Sequence, residues 1–405
     1  MKLSKLSQLF LVSAIGLIVA TWLTACNIVT IDYVYVATTG GSSSGSTGQI
    51  YNYAADAESG ALRPAHAAIS SGGNSPIALA VDSSYNDLYV ANEASNTVNH
   101  FAIASDGSLT SKDTLTTSEP PVALAVNQAG TYLYVLTGTT STTLTEYSLS
   151  SGTIGSATAT ETLALPSYPS DMLVPTAIVI LPNSQNVYAA VYDSSAYSPG
   201  CPSCVTSNAN PGWVFGFAVG SGGALSANTN SPYEAGIKPS GMATDPTNRF
   251  VYVTDFASNQ LIGYIVQSSG ELDFMVNGPF KTGNEPGSVI VDQRGLYIYV
   301  TNALDSTVSA YSISLPTGTP SAALATTGST SNGTDSQPVA ITIDPALGRY
   351  VYTANKLGDS VSGFRLNPNT GVLEATLATP YPTGQAPSAI IAVPHGNHAT
   401  QTTAP

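Results

Sequence analysis

The 405-residue chain carries 25 acidic and 11 basic residues, a formal net charge of −14, and only 9% of its residues are charged. This balance argues against nucleic acid as a partner, because binding to phosphate backbones needs a basic surface. The remaining polar positions are filled by hydroxyl and amide side chains, and the acidic balance by itself does not identify a ligand.

The first 25 residues read as an export signal. Lys2 and Lys5 precede an apolar run over residues 9–20, and small residues then lead to Cys26 in the sequence Leu-Thr-Ala-Cys. This ending resembles the lipobox of bacterial lipoproteins, which implies that Cys26 is acylated and becomes the first residue. The alternatives are an uncleaved membrane anchor and an ordinary signal peptide. We expect export, anchoring in the cell envelope through Cys26, and a short linker over 26–30.

A tyrosine followed by a small or apolar residue recurs seven times at intervals of 45 to 64 residues. Such a period is typical of propellers and solenoids. The seven positions are Tyr35, Tyr89, Tyr134, Tyr188, Tyr252, Tyr299 and Tyr352.

Each repeat contains the same four segments. A proline opens a short apolar stretch such as PIALAVD (76–82), a turn rich in Asp, Asn and Gly follows, and the tyrosine strand comes next. An alternating segment ending in an aromatic residue and a looser fourth segment complete the unit. Four strands in each of seven units predict an all-β, seven-bladed propeller over residues 31–395, followed by a disordered tail over 396–405.

The two ends of the repeat region complement each other. The first unit begins at its tyrosine strand (32–38), whereas a lone apolar strand stands at the far end (386–394). We therefore predict that the C-terminal strand completes blade one and closes the ring, which leaves no open edge between the first and last blades.

The phrase Tyr299-Val300-Thr301-Asn302 resembles the YVTN-type propeller repeat, and the wider pattern resembles the lactonase-type seven-bladed propellers, including 6-phosphogluconolactonases. The resemblance covers about residues 31–394 and implies a site at the mouth of the central channel, built from His, Arg and Glu. Glu93 matches the glutamate of that pattern, whereas Ile77 and Ala78 stand where Arg and His are expected. Glu93 is therefore the candidate catalytic residue, and the cations that would stabilise an oxyanion are missing.

Loops at one end of the ring form the second candidate site. By the geometry of propellers, the loops that follow the tyrosine strand and those that lead into the proline come together, and their polar residues form a shallow binding surface. The candidates are Asp193, Asp255, Asn302, Asn355, Lys356, Lys238 and Glu285, with Glu119 nearby. The insertion at 193–212 is the longest departure from the repeat and a candidate for specialised function.

Other chemistry-bearing residues have structural interpretations. Cys201 and Cys204 predict a local disulfide in an oxidising envelope, with redox and zinc sites as weaker alternatives. The four histidines show no metal or triad spacing, and Asp82, Asp245, Asp292 and Asp344 occupy tight turns. We expect no metal and no cofactor.

The sequence therefore supports two functions. The first is an envelope-anchored, monomeric binding or scaffold module whose loop face takes a small molecule, a glycan or an envelope protein. The second is a lactone hydrolase resembling 6-phosphogluconolactonase with a site of different composition. The pattern does not decide whether the chain is an enzyme.

Overall fold

The computed structural model describes residues 29–40, 47–166, 172–194, 211–323 and 332–395. Within these ranges the chain forms 32 strands and two short 3-10 helices, at Glu93–Ser95 and Ser221–Gly223. None of the helices in this part of the chain is long and apolar enough to cross a bilayer. The predicted signal segment, Cys26, Cys201, Cys204 and the tail over 396–405 lie outside the described residues.

The strands pair into seven antiparallel sheets, the blades. Blade 1 contains β1 (Thr30–Thr38), β2 (Gln49–Asp56), β3 (Leu62–Ser70) and the last strand, β32 (Pro387–Pro394). Blade 2 contains β4 (Pro76–Val81), β5 (Asp87–Asn92), β6 (Thr97–Ile103) and β7 (Leu109–Thr116). Blade 3 contains β8 (Pro121–Val126), β9 (Tyr132–Thr137), β10 (Thr143–Ser150) and β11 (Thr153–Thr162).

In the other four blades the outer strand is split into two pieces that both pair with the third strand. Blade 4 contains β12 (Leu173–Ile180), β13 (Asn186–Asp193), β14 (Gly212–Val219), β15 (Leu225–Ala227) and β16 (Tyr233–Glu234). Blade 5 contains β17 (Pro239–Thr244), β18 (Phe250–Asp255), β19 (Gln260–Val266), β20 (Leu272–Phe274) and β21 (Phe280–Lys281). Blade 6 contains β22 (Pro286–Val291), β23 (Tyr297–Asn302), β24 (Thr307–Ile313), β25 (Pro320–Ala323) and β26 (Asn332–Gly333). Blade 7 contains β27 (Pro338–Ile343), β28 (Tyr350–Asn355), β29 (Ser360–Leu366), β30 (Leu373–Ala375) and β31 (Tyr381–Pro382).

The seven-bladed propeller predicted from the repeats is confirmed, including the closure of the ring. Strand β32 pairs with β1 from Asp32 opposite Pro394 to Thr38 opposite Pro387. The innermost strands contact their neighbours all round the axis, and β32 lies between β27 and β4. The first blade is thus completed by the end of the chain, which removes the edges that an open sheet would expose.

The recurring tyrosine joins each blade to the next. In six blades its hydroxyl donates a hydrogen bond to a glycine carbonyl in the turn between the third and fourth strands of the following blade. The pairs and their distances are Tyr35–Gly107 (2.7 Å), Tyr89–Gly152 (2.6 Å), Tyr188–Gly270 (2.8 Å), Tyr252–Gly318 (2.6 Å), Tyr299–Gly371 (2.9 Å) and Tyr352–Gly60 (2.8 Å). Burial raises the pKa of each hydroxyl, so it remains a donor at neutral pH.

Glycine is required at these turns for two reasons. At Gly318 the backbone has φ +71°, which side chains other than glycine rarely adopt, and a Cβ would lie 2.4 Å from the ring of Phe250 in the preceding blade. In blade 3 the hydroxyl of Tyr134 makes no such bond and lies beside the buried carboxylate of Glu146.

The aspartates in the turn between the first and second strands of a blade have the structural role predicted for them. The carboxylate of Asp245 accepts hydrogen bonds from the backbone N–H groups of Arg249 (2.7 Å) and Phe250 (2.8 Å). Asp82, Asp292 and Asp344 accept the equivalent bonds in their blades. These four carboxylates hold tight turns at one end of the ring, the end that we call the turn face.

A buried carboxyl pair lies where the ring closes. Asp32 of β1 is fully buried and lies near Asp344 of blade 7. Burial and the neighbouring carboxylate raise the pKa of Asp32 to about 9. Burial also raises the pKa of Asp344, although the four backbone N–H bonds that this carboxylate accepts favour its charged form. Asp32 is therefore protonated at neutral pH.

Removing one tyrosine hydroxyl should weaken the ring. Tyr252→Phe leaves the buried carbonyl of Gly318 without its donor, and we expect a loss of about 1–2 kcal/mol in the free energy of unfolding, measured by urea denaturation. The matched control is Tyr51→Phe, whose hydroxyl makes an exposed bond to Gln49 and should change stability by less than about 0.5 kcal/mol. Equal effects of the two substitutions would contradict the role assigned to the inter-blade bond.

The Asp32 carboxyl should make stability depend on pH. Its folded pKa lies above the ordinary value of 3.8, so its contribution is fully present below about pH 4 and is lost as the pH rises through about 9. Asp32→Asn, which is neutral throughout, should therefore raise Tm more at pH 8 than at pH 5. Its gain in the free energy of unfolding should grow by at most roughly 1.4 kcal/mol per pH unit. Asp82→Asn is the control and should lower Tm at both values. A Tm gain for Asp32→Asn that does not change with pH would contradict the assignment.

Candidate functional site

The first and second strands of all seven blades meet at the end of the ring opposite the turn face, and we call this end the loop face. It is defined by the pairs Pro76–Asn92, Pro121–Thr137, Leu173–Asp193, Pro239–Asp255, Pro286–Asn302, Pro338–Asn355 and Pro387–Thr38. The structure thus brings the predicted loop residues to one end of the channel. The second strands of successive blades reach this end at positions 45 to 62 residues apart in the chain.

An irregularity in register recurs at the loop face. In every blade the pairing of the first strand with the second shifts within the first few residues, as between Pro239 and Gly241. Such bulges are frequent at barrel rims, where they redirect side chains. The hydroxyl of Ser240, at this bulge, donates to the carbonyl of Pro286 in the next blade (2.6 Å), and Ser388 contacts Pro76 in the same way. These serines tie neighbouring blades together at the mouth of the channel.

Glu93, the candidate catalytic residue, begins the short helix that follows β5. Its backbone N–H donates to the carbonyl of Ser75 (2.9 Å), and its half-buried carboxylate lies 3.5 Å from the hydroxyl of the same serine. A neutral hydroxyl can orient a carboxylate but does not stabilise a developing negative charge as a cation would. The structure therefore places Glu93 at the mouth beside Ser75, in a blade whose first strand carries Ile77 and Ala78.

Four of the predicted loop-face residues are buried. Asp193, Asp255, Asn302 and Asn355 are each 2% exposed or less. The carboxylate of Asp255 accepts the N–H groups of Ile237 and Lys238, each at 2.9 Å. Asn302 accepts the N–H of Gly283 (3.1 Å), and Asn355 donates to two serine hydroxyls. The last three side chains organise the loops.

Lys238 and Glu285 belong to the half-buried part of the loop face. The ammonium group of Lys238 lies 4.7 Å from the ring centre of Phe256 and 5.5 Å from that of Tyr192. Burial lowers the pKa of Lys238, and the negative charge of Glu285 opposes this change. Cation–π contacts of this length are attractive and hold the ammonium near the two rings. Blades 4, 5 and 6 thus form a corner, the Lys238 corner, with a cation, two aromatic rings and a carboxylate.

The remaining charged candidates are more open. Lys356 is exposed. Glu119 accepts hydrogen bonds from the hydroxyls of Thr139 and Thr140, which lower the pKa of its carboxyl. The insertion at 193–212 leaves and re-enters the fold at the Lys238 corner, where the N–H of Asp193 donates to the carbonyl of Pro211 (2.8 Å). Residues 195–210 of this insertion lie outside the described part of the chain.

His100 forms a cluster that the sequence pattern did not reveal. It is buried in β6, with Nε2 2.6 Å from Asp87 Oδ1 and Nδ1 2.6 Å from Asp113 Oδ1, and it stacks on Tyr89 at 5.1 Å. Both ring nitrogens are occupied, and both can donate only when the imidazole is protonated. The cluster ties three strands of blade 2 together.

The other histidines also make structural contacts. His66 bonds the carbonyl of Asp106 (2.8 Å), and His395 packs edge-on against Tyr33 at 5.3 Å. His398 lies outside the described residues. Over the part of the chain that the structure describes, no group of three His, Cys, Asp or Glu side chains could hold a metal ion.

Comparison with solved structures finds the same architecture in several proteins. The periplasmic gluconolactonase of Pseudomonas aeruginosa is 18% identical, with a TM-score of 0.72 over 90% of this chain and 99% of its own. A candidate 6-phosphogluconolactonase of Bacteroides fragilis is also 18% identical, with a TM-score of 0.71 over 91% of this chain and 99% of its own. A further candidate from Bacteroides uniformis is 17% identical, with a TM-score of 0.71 over 90% and 100%. At these identities the likeness concerns the fold.

A search of curated proteins found no match. A family model described as lactonase, 7-bladed β-propeller, matches residues 6–121 and 104–398, which together span the whole repeat region. The chain therefore belongs to the lactonase family of seven-bladed β-propellers.

Proposed function

We propose that this chain is an envelope-anchored binding module that holds a small hydroxylated acid, of the aldonic acid or aldonolactone class, at the Lys238 corner. The observation that carries the proposal is the half-buried ammonium of Lys238 near the rings of Tyr192 and Phe256. Aromatic faces suit the C–H face of a polyol, and an ammonium suits a carboxylate or a polarised lactone carbonyl. The names of the structurally similar gluconolactonases point to the same ligand class.

The electrostatics of the corner support an anionic ligand. Partial burial disfavours the charged form of Lys238, so a carboxylate brought against it would offset part of that cost. Glu285 on the adjacent loop, held at φ +54° with its N–H bonded to Asn259 (2.8 Å), offers an acceptor for ligand hydroxyls. Aromatic walls with a few placed polar groups are typical of small-molecule sites.

Ligand binding should depend on Lys238. We expect gluconate to raise the Tm of the mature chain in detergent, because a ligand that binds only the folded state stabilises it. Lys238→Gln should weaken the affinity, measured by calorimetry, at least about tenfold. Lys281→Gln, at an exposed loop-face lysine, is the matched control and should leave the affinity unchanged. No Tm shift with gluconate or gluconolactone, or equal losses in both variants, would contradict the proposal.

Lactone hydrolysis is the second candidate function, and family membership favours it. In this reaction a carboxylate removes a proton from water, the oxygen attacks the lactone carbonyl, and the ring oxygen leaves and is protonated to give the hydroxy acid. Glu93 has the position of the family's glutamate, yet its described carboxylate contact is the Ser75 hydroxyl. A missing oxyanion donor alone costs roughly 10²–10³ in rate.

We therefore expect the purified protein to hydrolyse 6-phosphogluconolactone no faster than buffer, and Glu93→Gln to change stability little. Saturable turnover that disappears in Glu93→Gln would establish the hydrolase function at the family's position. Turnover lost in Glu285→Gln but retained in Glu93→Gln would instead place the base at the Lys238 corner. The assay follows base consumption in a pH-stat with matched protein concentrations.

A further inference from the structure

The N-terminal strand leaves the propeller at the turn face. Strand β1 begins at Thr30, which pairs with Asp56, and ends at Thr38, which pairs with Pro387 on the loop face. The residue before it, Val29, is 53% exposed. Whatever precedes β1 therefore extends from the turn face and not from the mouth of the channel.

Only three residues separate Cys26 from Thr30 in the sequence. Even fully extended, the chain between these two residues spans at most about 14 Å. The nine residues of β1 span roughly 27 Å from the turn face to the loop face. A bilayer that holds acyl chains at Cys26 therefore cannot also lie against the loop face.

The arginines share the end from which the chain leaves. All five arginines of the sequence lie at the turn-face ends of blades 5, 6, 7 and 1: Arg63, Arg249, Arg294, Arg349 and Arg365. Arg63 donates to the hydroxyl of Thr30 (2.7 Å), at the start of β1. By contrast, Lys238, Lys281 and Lys356 lie at the loop face.

These arginines form an arc suited to phosphate groups. Arg249, Arg349 and Arg365 are exposed, and a guanidinium group binds phosphate oxygens in a bidentate manner. Exposed carboxylates, including Glu58, Asp106 and Glu374, share the same end. The net charge of the turn face therefore does not by itself attract it to a membrane. The arc instead favours the side of blades 7 and 1 as the part of the turn face nearest the headgroups.

We infer that the turn face of the propeller lies against the membrane surface, with the arginine arc over lipid phosphates, and that the loop face opens away from the bilayer. This arrangement rests on the proposed lipid anchor at Cys26. It leaves the Lys238 corner accessible to soluble ligands. The occupant of the turn face is thus a lipid surface rather than a protein.

Depth-dependent quenching on vesicles tests the inference. The acylated full chain, with Cys201 and Cys204 replaced by serine, is reconstituted into phosphatidylethanolamine–phosphatidylglycerol vesicles that contain lipids spin-labelled at the headgroup. A fluorophore is attached at one of three exposed positions of blade 7: Asn369→Cys on the turn face, Ala375→Cys on the outer strand or Leu357→Cys on the loop face. We expect at least threefold stronger quenching at position 369 than at 357, with 375 between them.

The outcomes separate anchor from orientation. Equal quenching at positions 369 and 357 on vesicle-bound protein, or stronger quenching at 357, would overturn the orientation alone. A chain that leaves the vesicles as readily as its Cys26→Ser variant would overturn the anchor and the orientation together. Gluconate binding, which tests the proposed function, is measured independently of both.

The contribution of the arginines has its own matched pair of variants. Replacing Arg249, Arg349 and Arg365 by glutamine should reduce the ratio of quenching at position 369 to that at position 357. The reason is that the arginines no longer hold the blade 7 side of the turn face near the lipid headgroups. Replacing Lys112 of the outer strand β7, Lys281 and Lys356 by glutamine removes the same charge and should leave the ratio unchanged. An unchanged ratio in the arginine variant would overturn the phosphate contacts and leave the tether as the orienting element.

Discussion

The hydrogen bond from a tyrosine hydroxyl to a glycine carbonyl in the next blade is the interaction on which this fold depends. A four-stranded sheet alone leaves both faces uncovered, and here each sheet is covered by its neighbours. The bonded residues are 63 to 82 positions apart within the chain and 292 apart where the ring closes. The tyrosine and the glycine turn are therefore two halves of one contact, which explains why both recur with the period of the blade.

Because these bonds lie toward the turn face, the loop face is free to vary. The loops there are organised by their own buried polar residues, as Asp255 and Asn302 show. The neighbouring positions differ from blade to blade, with glutamate at 93, phenylalanine at 256 and lysine at 356. A family that keeps the ring can thus replace the chemistry at its mouth, and membership in it determines architecture more closely than activity.

The two ends of the ring differ in composition. The turn face contains the aspartate turns, the glycine turns and the arginines, and the chain enters there. The loop face contains the Lys238 corner and the ends of the insertion. Separating the structural contacts from the variable loops lets one end be tethered while the other remains open to ligands.

The propeller, its seven blades and its closure by the last strand were predictable from the sequence alone. Strand patterns and turn residues are local signals, and a period of about 50 residues repeats them often enough to count the blades. The aspartate turns were predictable for the same reason, since Asp245 bonds N–H groups only four and five residues away.

Only the tertiary structure decided which loop residues are buried and which meet. Asn302 and Asn355 end their tyrosine strands and Glu93 comes directly after one, yet the two asparagines are fully buried, whereas Glu93 is half-buried. The corner of Lys238, Tyr192 and Phe256 and the pairing of His100 with Asp113 left no sequence signal. Such contacts join side chains from separate loops and strands, and their distances are set by how the closed ring orients each blade, which no local pattern encodes.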